Sequence, residues 1–295
     1  MKVLVTGAHG KVGRALVPRL LEAGYDVRAS DLTRPVWDRV DPAEATDYVQ
    51  ADLTDAGAAY ALVRGCDAVV HTAAIPQPIH NAPHVVFGNN LQSTFNVLEA
   101  AIAFGARRFV NFSSETVPGF IFAHRPFKPD YLPVDEQHPI RPQDPYATAK
   151  WFSELLCERA VERADIRCTS IRPCWVQDEG SYERNLGPIV RDPSIVIENY
   201  CSYIDVHDLC DAVVLVLETD LPGHEVFYIA SPDTIGGHPL VETVRRYYDG
   251  EEIEFRPLDR EDASGISSAK AMRLLGWTPH RSWRDYLDDE GRSKT

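Results

Sequence analysis

Three glycines near the start of the chain, Gly7, Gly10 and Gly13, constrain its fold more than any other feature. They follow the apolar run at residues 2–6 and open a segment, residues 11–23, whose apolar side chains recur at helical spacing. In such a turn the first glycine makes the bend, the second admits a pyrophosphate, and the third lets the helix lie close to the strand. The N–H groups and dipole of the helix start then bind phosphate. This pattern predicts a dinucleotide-binding unit.

Short apolar segments alternate with helical segments through the first half of the chain. The predicted strands cover residues 2–6, 25–30, 47–51, 67–71, 108–113 and 166–171. The predicted helices cover residues 11–23, 54–64, 90–104 and 146–163, and Pro18 is expected to kink the first or to tighten its first turns. Continuous apolar strands separated by helices form a parallel sheet covered on both faces. We therefore predict an α/β fold with a Rossmann-type doubly wound parallel sheet.

The pattern becomes irregular after Arg172, where Gly, Pro and aromatic residues intermix as far as residue 203. A helix at 205–218, a strand at 225–230 and a helix at 240–248 are predicted beyond it. We divide the chain into a dinucleotide-binding domain, residues 1–172, and a region of residues 173–295. That second region is expected to be mainly a small C-terminal substrate-binding lobe, with segments that return to the Rossmann core.

Acidic residues end the second and third predicted strands. Asp31 lies 18 residues after Gly13, near the spacing at which an acid accepts hydrogen bonds from ribose hydroxyls. Its charge repels a 2′-phosphate, which favours NAD over NADP, although the nearby Arg34 weakens that preference. Asp52 and Leu53 stand where an acid reaches the adenine amino group. An ordinary turn role for Asp31 is the alternative.

A tyrosine and a lysine one helical turn apart begin the helix after the fifth strand. Tyr146 and Lys150 share a helix face because four residues span about one turn. A free tyrosine, with a pKa of about 10, is a poor acid or base at neutral pH. A neighbouring ammonium group and an oxidised nicotinamide ring stabilise its phenolate. Isolated pairs of this kind are usually surface residues, so the position after the fifth strand, with Ser114 at that strand's end, is what indicates catalysis.

Composition excludes several other classes of protein. The chain has 44 acidic and 30 basic residues and a net charge of −14, so it repels nucleic acid. It shows no 18-residue apolar span and no signal peptide, which predicts a cytoplasmic protein without a membrane helix. The six cysteines have neither CxxC nor zinc-ligand spacing and are expected to be buried and reduced. Asp205, His207 and Asp208 fit a helix start, so no metal is predicted.

Ten segments together carry a family resemblance. They are TGAHGKVG at 6–13, Asp31, Asp52-Leu53, HTAA at 71–74, NLQSTFNVLEAA at 90–101, FVNFSSETVPG at 109–119, YATAK at 146–150, IRP at 171–173, YIDVHDL at 203–209 and LLGWTP at 274–279. The chain resembles, over nearly its whole length, the extended short-chain dehydrogenase/reductases of the NAD-dependent epimerase/dehydratase family. It departs from the family pattern at Pro118, where a tyrosine is usual, and at Ser93, where a glycine is usual. Tyr203 follows Arg172 by only 31 positions.

The resemblance implies a role for each matching residue. Tyr146 would be the acid/base, Lys150 its partner, Ser114 the catalytic hydroxyl and Asn90 the asparagine that supports a proton-relay water. The residues expected to contact NAD are Gly7, His9, Gly10, Lys11, Val12, Gly13, Asp31, Asp52, Leu53, Thr72, Ala73, Ala74, Asn90, Tyr146, Lys150 and Pro173. The residues expected to contact substrate are Gln77, Ser114, Glu115, Thr116, Tyr146, Arg172 and Trp175. As loop residues, Gln77 and His80 are equally well explained as bystanders, and Arg172 as a member of a structural ion pair. Glu115 is also a candidate second acid/base.

We predict an NAD-dependent oxidoreductase that transfers hydride at a secondary alcohol, carbonyl or lactol of a sugar-like substrate. Members of the family that bind nucleotide sugars usually carry a longer insert between Arg172 and Tyr203, so the short segment is more similar to the uronate-dehydrogenase-like branch. The alternatives are a sugar or nucleotide-sugar epimerase or dehydratase that keeps NAD bound, and a non-catalytic NAD(P) sensor.

The helices at 90–104 and 146–163 carry apolar residues on more than one face. The resemblance implies that the second face pairs with a twin subunit in a four-helix homodimer. The alternative is that the second lobe covers that face.

Overall fold

The computed structural model describes residues 1–33 and 47–294. Arg34, which weakened the predicted preference for NAD over NADP, lies outside these residues. The strands are β1 (Lys2–Thr6), β2 (Asp26–Asp31), β3 (Asp47–Gln50), β4 (Ala68–His71), β5 (Arg108–Phe112), β6 (Tyr131–Leu132), β7 (Arg167–Pro173), β8 (Val176–Gln177), β9 (Ile204–Asp205), β10 (His224–Ile229) and β11 (Glu254–Phe255). The helices are α1 (Lys11–Glu22), α2 (Ala56–Val63), α3 (Pro83–Ala103), α4 (Pro145–Arg163), α5 (Tyr182–Asn185), α6 (Gly187–Arg191), α7 (Val206–Glu218), α8 (Leu240–Tyr247), α9 (Ala269–Leu275) and α10 (Trp283–Tyr286).

Seven strands form one sheet in the order β10-β7-β5-β4-β1-β2-β3. The pairings from β3 across to β7 are parallel. The strand order reverses beside β1, so the chain winds outward in both directions from that strand, which confirms the predicted doubly wound α/β fold. In register, Thr6 at the end of β1 lies between Ser30 and His71, so the turns that follow β1, β2 and β4 share one edge of the sheet.

The core explains why the apolar strands were easy to recognise. Val3, Leu4 and Val5 are all fully buried, because helices cover both faces of β1. One large apolar cluster joins β1, β4, β5 and β7 to the inner faces of α2, α3 and α4. Cys157 and Ala160 are the buried members of this cluster that come from α4.

Helix α3 differs most from its prediction. α3 begins at Pro83, seven residues before the predicted start, with Pro83 in the first turn and no side-chain cap on Ala82 among the described residues. The sequence there lacks a capping residue, so the pattern gave no start signal. α1 runs from Lys11 to Glu22 as one helix with Pro18 inside it. Within residues 1–33 and 47–294, no helix combines the length and apolarity that spanning a bilayer requires.

The chain divides into two compact units. Unit 1 comprises Met1–Ser113, Asp144–Ile171 and Val213–Val226, and unit 2 comprises Ser114–Gln143, Arg172–Ala212 and Phe227–Thr295. Unit 1 contains the glycine turn and the start of α4. Unit 2 has its own apolar cluster, in which Tyr182, Tyr203 and Trp283 are buried.

Candidate functional site

The glycine turn leaves no room for a side chain at two of its three glycines. Gly7 has a φ of 69°, and a Cβ there would lie 2.7 Å from the Ala73 nitrogen. A Cβ at Gly13 would lie 2.3 Å from the Gly7 oxygen. Gly10 precedes α1, and no side chain among the described residues caps the helix at that position. The first turn of α1 contains no acidic residue, so the helix start presents backbone N–H groups and a positive dipole end to an anion.

Asp31 lies at the end of β2 and accepts hydrogen bonds from the residues around the glycine turn. Its Oδ2 accepts from the His9 backbone N–H at 3.0 Å, and its Oδ1 accepts from the Thr33 backbone and side chain at 3.2 Å each. The His9 ring stacks on the Tyr48 ring at 5.0 Å. A carboxylate has about four lone-pair positions, so Asp31 can also accept from ribose hydroxyls.

The end of β4 lies against the glycine turn. Thr72 Oγ1 donates to the Thr6 carbonyl at 2.6 Å, and the Ala73 N–H donates to Thr6 Oγ1 at 3.3 Å. His71 is buried between the Thr6 and Thr94 hydroxyls, and burial lowers the pKa of its ring to about 3. The imidazole is therefore neutral at physiological pH and positions the strand end. Ala74 follows, half-buried.

Asp52 and Leu53 form a turn after β3. Asp52 Oδ1 accepts from the Thr54 backbone at 2.9 Å and its hydroxyl at 2.7 Å, and these hydrogen bonds lower the pKa of the carboxyl. Leu53 is buried, and its carbonyl accepts from Asn96 of α3 at 2.9 Å. The carboxylate itself is exposed, as contact with an adenine amino group requires.

Asn90 of α3 uses its side chain to hold the loop after β4. Its Oδ1 accepts from the Ile75 N–H at 2.8 Å, and its Nδ2 donates to the Ile75 carbonyl at 3.0 Å. Gln77 in this loop is half-buried and His80 is exposed. The structure therefore shows Asn90 fixing the backbone of the loop that carries Gln77, while its expected support of a proton-relay water stays a prediction.

The sequence DPYATAK folds into the start of α4. Asp144 is the N-cap, and its Oδ1 accepts from the Tyr146 N–H at 2.8 Å and the Ala147 N–H at 2.9 Å. Pro145 occupies the first turn, where its missing N–H costs nothing. The cap fixes the first turn of the helix and hence the direction of Tyr146, which is buried.

Lys150 lies one turn further along α4, beside Tyr146. Its Nζ is 5.8 Å from the centre of the Tyr146 ring and donates to the Phe112 carbonyl at the end of β5, at 2.5 Å. Burial lowers the pKa of Lys150 to about 8, against the opposing effect of Glu154. The ammonium form dominates at neutral pH, and its charge stabilises a Tyr146 phenolate.

Unit 2 begins with three consecutive candidate residues, all of them buried. Ser114 Oγ accepts from the Thr116 backbone at 3.1 Å and from the Thr116 hydroxyl at 3.0 Å, which leaves its own proton to donate to a third group. The Glu115 carboxyl faces Asn199 Nδ2 at 3.3 Å. Burial raises the pKa of Glu115 to about 8, against hydrogen bonds that include one with Cys174. Glu115 is therefore mostly protonated at neutral pH.

The remaining candidate residues of unit 2 are Arg172, Pro173 and Trp175, which are buried or half-buried. Arg172 is 2% exposed; its guanidinium lies over the Tyr228 ring at 5.1 Å, and Nη1 donates to the Tyr228 hydroxyl at 3.3 Å. Pro173 is half-buried at the end of β7, and Trp175 is half-buried against the apolar cluster of this unit. A substrate contact for Arg172 or Trp175 stays a prediction.

The two aspartates of the turn at residues 205–208 form hydrogen bonds within the protein. Asp205 accepts from the Tyr182 hydroxyl and the His207 N–H, and Asp208 accepts from the backbone N–H groups of residues 280 and 281. Within the described ranges, no group of three His, Cys, Asp or Glu side chains is placed to hold a metal ion.

Sequence reasoning missed three partners in these clusters: Glu154, Cys174 and Asn199. Glu154 could have been predicted from the sequence, because it stands four residues after Lys150 and so shares the helix face of that residue. Asn199 is 84 residues from Glu115. No local pattern indicates that contact.

Comparison with known proteins identifies a family for this architecture. The model of the "NAD dependent epimerase/dehydratase family" matches residues 3–230. A putative UDP-glucose 4-epimerase of Methanocaldococcus jannaschii is 31% identical, over 94% of this chain and 93% of its own. A uronate dehydrogenase of Pseudomonas putida is 28% identical, over 78% of this chain and 76% of its own. A crystal structure of a short-chain dehydrogenase/reductase superfamily protein from Agrobacterium tumefaciens with bound NAD superimposes with a TM-score of 0.73, at 24% identity, covering 96% of this chain and 94% of its own.

Proposed function

The chain belongs to the NAD-dependent epimerase/dehydratase family, and we propose that it is an NAD-dependent dehydrogenase of a free sugar or sugar acid. It would oxidise a secondary alcohol or a lactol hydroxyl. The single observation that carries the proposal is the Tyr146–Lys150 pair at the capped start of α4, with the ammonium group beside the phenol ring.

The residues of unit 1 fit NAD as the cofactor. Gly7 and Gly13 leave backbone where side chains would stand, and the start of α1 carries neither a side-chain cap nor an acid. Both are what a pyrophosphate requires. Asp31 would orient the adenosine ribose, and the Asp52 carboxylate would accept from the adenine amino group. A negative Asp31 disfavours a 2′-phosphate, which supports NAD over NADP.

The chain's own residues would manage the proton of the reaction. When bound, NAD supplies the hydride acceptor. Tyr146 Oη would take the proton of the substrate hydroxyl, and the Lys150 ammonium would stabilise the phenolate that must form first. Ser114, which can donate its hydroxyl proton, would hydrogen-bond the substrate oxygen. Asn90 would keep the loop with Gln77 in place through its bonds to Ile75.

Replacement of Tyr146 by Phe tests this assignment. General acid–base catalysis contributes roughly 10²–10⁴ in rate, so Tyr146→Phe should reduce kcat at least about a hundredfold while the Kd for NAD changes little. Stopped-flow detection of NADH and calorimetric NAD binding provide the two measurements. Tyr60→Phe, at an exposed tyrosine of α2, is the matched control. Near-native turnover by Tyr146→Phe would refute the role of the phenol.

A sugar or nucleotide-sugar epimerase is the second candidate, favoured by the match to the putative UDP-glucose 4-epimerase over 94% of this chain. An epimerase returns the hydride and so accumulates no NADH. Free uronates, free aldoses and nucleotide sugars, each added with excess NAD, separate the candidates. NADH formed stoichiometrically from free sugars supports the dehydrogenase. Epimerised nucleotide sugar without net NADH, from protein purified with NAD bound, would establish the epimerase.

The short segment between Arg172 and Tyr203 supports a free sugar as substrate. It contains the strand β8 and the small helices α5 and α6. Besides Ser114, the residues of unit 2 that we propose for substrate contact are Glu115, Thr116 and Trp175. The relationship to the uronate dehydrogenase, 28% identical over 78% of this chain, agrees with this choice.

A homodimer is proposed from the apolar groove between α3 and α4. The groove has a volume of about 480 Å³. Its apolar lining consists of Phe87, Leu91, Phe95, Phe152, Leu155 and Leu156. Phe95 is 44% exposed and Leu155 is 38% exposed. A twofold axis would place the same groove of a second copy against it, forming a four-helix interface and removing these side chains from water.

A cytoplasmic location is also proposed. All six cysteines are free thiols and all are buried, which suits a reducing compartment.

A further inference from the structure

Glu154 is a buried carboxylate that the proposed proton transfer leaves unused. It is 4% exposed and lies on α4, four residues after Lys150, which itself lies four residues after Tyr146. Residues spaced by four share one helix face. The three side chains therefore follow one another along one face of α4.

Lys150 and Glu154 form hydrogen bonds with two consecutive residues at the end of β5, Phe112 and Ser113. The Lys150 ammonium donates to the Phe112 carbonyl at 2.5 Å, and Ser113 Oγ donates to Glu154 Oε1 at 2.5 Å. Together the two bonds fasten the face of α4 that carries Tyr146 to the end of the strand. Ser113 is directly followed by Ser114, so the same carboxylate also anchors the residue before the proposed catalytic hydroxyl.

The charges around Lys150 show what the carboxylate does. Burial lowers the pKa of Lys150, and Glu154 raises it. His71 on β4 faces Lys150 and is neutral, because burial lowers the pKa of its ring to about 3. The other titratable groups here are Tyr146, the Cys157 thiol on α4, whose pKa is raised well above its usual value by burial and by neighbours that include Glu154, and Cys168 on β7. His71 and Cys157 are both neutral at neutral pH, so neither replaces the negative charge of Glu154.

We propose that Glu154 is a positioning residue for the Tyr146–Lys150 pair: its carboxylate keeps the buried lysine charged and, through Ser113, holds the end of β5 against α4. The inference rests on the proposed function in one respect, the need for a charged Lys150 beside the phenol. Without the carboxylate, Lys150 would give up its proton near neutral pH, and a neutral amine does not stabilise a phenolate.

The protonation of Lys150 is measured without any substrate. NMR of ¹³C-lysine-labelled protein, with the Lys150 signal assigned from Lys150→Arg, gives its titration midpoint in the native chain and in Glu154→Gln. We expect the midpoint to fall by about one pH unit in Glu154→Gln, as the loss of one neighbouring charge implies. Glu158→Gln, at an exposed acid of the same helix, should leave it unchanged. Equal midpoints in the native chain and Glu154→Gln would overturn the proposal.

The pH profile of kcat/KM reports the same change in the working enzyme. The active form has a protonated lysine, so activity falls as pH rises through the pKa of Lys150. If the pKa of Lys150 falls from about 8 to about 7, Glu154→Gln should be about fivefold less active than the native enzyme at pH 8. At pH 6 the two enzymes should have nearly the same activity. Glu154→Asp, whose carboxylate is withdrawn by one methylene, should recover only part of the activity at pH 8. An equal loss at every pH would mean that Glu154 only supports packing, which overturns the proposal.

Two other outcomes of these experiments are also informative: a variant that does not fold, and a protein that shows no dehydrogenase activity. If Glu154→Gln does not fold, Glu154→Asp serves in its place, because the carboxylate withdraws by one methylene and the Lys150 midpoint should fall by part of the shift; no fall overturns the proposal. If no sugar yields NADH while the NMR midpoint moves as expected, the proposed dehydrogenase activity fails and the role of Glu154 toward Lys150 stands.

Discussion

At the scale of single residues, burial is the main cause of the shifted pKa values of Lys150 and Glu115. Burial lowers the pKa of Lys150 to about 8 and raises that of Glu115 to about 8. The two groups start from ordinary values of 10.5 and 4.5, so each shift moves toward the neutral form. One buried lysine and one buried acid therefore both change charge close to physiological pH.

Glu115 makes the stability of the protein depend on pH. Its pKa is higher in the folded chain than in the unfolded chain, so its favourable contribution is complete below about pH 4.5 and is lost as pH rises through about 8. Glu115→Gln keeps the neutral shape, so its advantage over the native chain should grow between these pH values. At about 1.4 kcal/mol per pKa unit, the advantage reaches a few kcal/mol. Thermal unfolding at several pH values measures it.

Glu183→Gln is the control for this experiment. Glu183 is exposed on α5, so the same chemical change there should leave the unfolding temperature nearly unaltered at each pH. A difference between Glu115→Gln and the native chain that stays constant from pH 4.5 to 8.5 would show that Glu115 does not bind its proton unusually tightly.

At the scale of elements, the turn between β1 and α1 has no space for a methyl group at Gly13. A Cβ there would lie 2.3 Å from the Gly7 oxygen and 2.6 Å from the Ala8 Cα, both backbone atoms that cannot step aside. Gly13→Ala should cost about 1–3 kcal/mol of stability, as overpacking does. Because the turn must open, NAD affinity should fall at least about tenfold, or about 1.4 kcal/mol.

Gly180→Ala provides the comparison for Gly13→Ala. Gly180 has open space where a Cβ would stand, and its φ is not positive. Differential scanning calorimetry and NAD titration should give native values for this variant. Native-like NAD affinity in Gly13→Ala would show that the turn does not set the phosphate site.

The strands and helices also show how much of the structure can be predicted from the sequence. β1 and β4 were predicted to within one residue, because a strand buried on both faces reads as an unbroken apolar run. The start of α4, predicted at Tyr146, lies one residue earlier, at Pro145. The first two turns of α3 were missed because that helix starts without a side-chain cap. The Glu115–Asn199 contact depends on how distant segments meet, which no local pattern encodes.

At the scale of the whole molecule, the net charge of −14 and the apolar groove between α3 and α4 act in opposite directions on self-association. Like charges on two copies repel over about one Debye length, which is about 8 Å at physiological ionic strength. An apolar interface is not screened by salt. Association through this groove should therefore strengthen as salt rises, the reverse of an interface held by ion pairs.

Leu155→Asp tests the groove directly. Leu155 lies on α4 and is 38% exposed, so an aspartate there is tolerated in the single chain, but its charge would be buried unpaired between two copies. We expect light scattering after size-exclusion chromatography to give twice the 33.0 kDa chain mass for the native protein and the single chain mass for Leu155→Asp. Leu274→Asp, at a leucine of α9 that is 42% exposed, should remain a dimer. If Leu155→Asp keeps the native mass, copies of the chain do not meet at this groove, because a buried unpaired carboxylate costs more than an interface of this kind withstands.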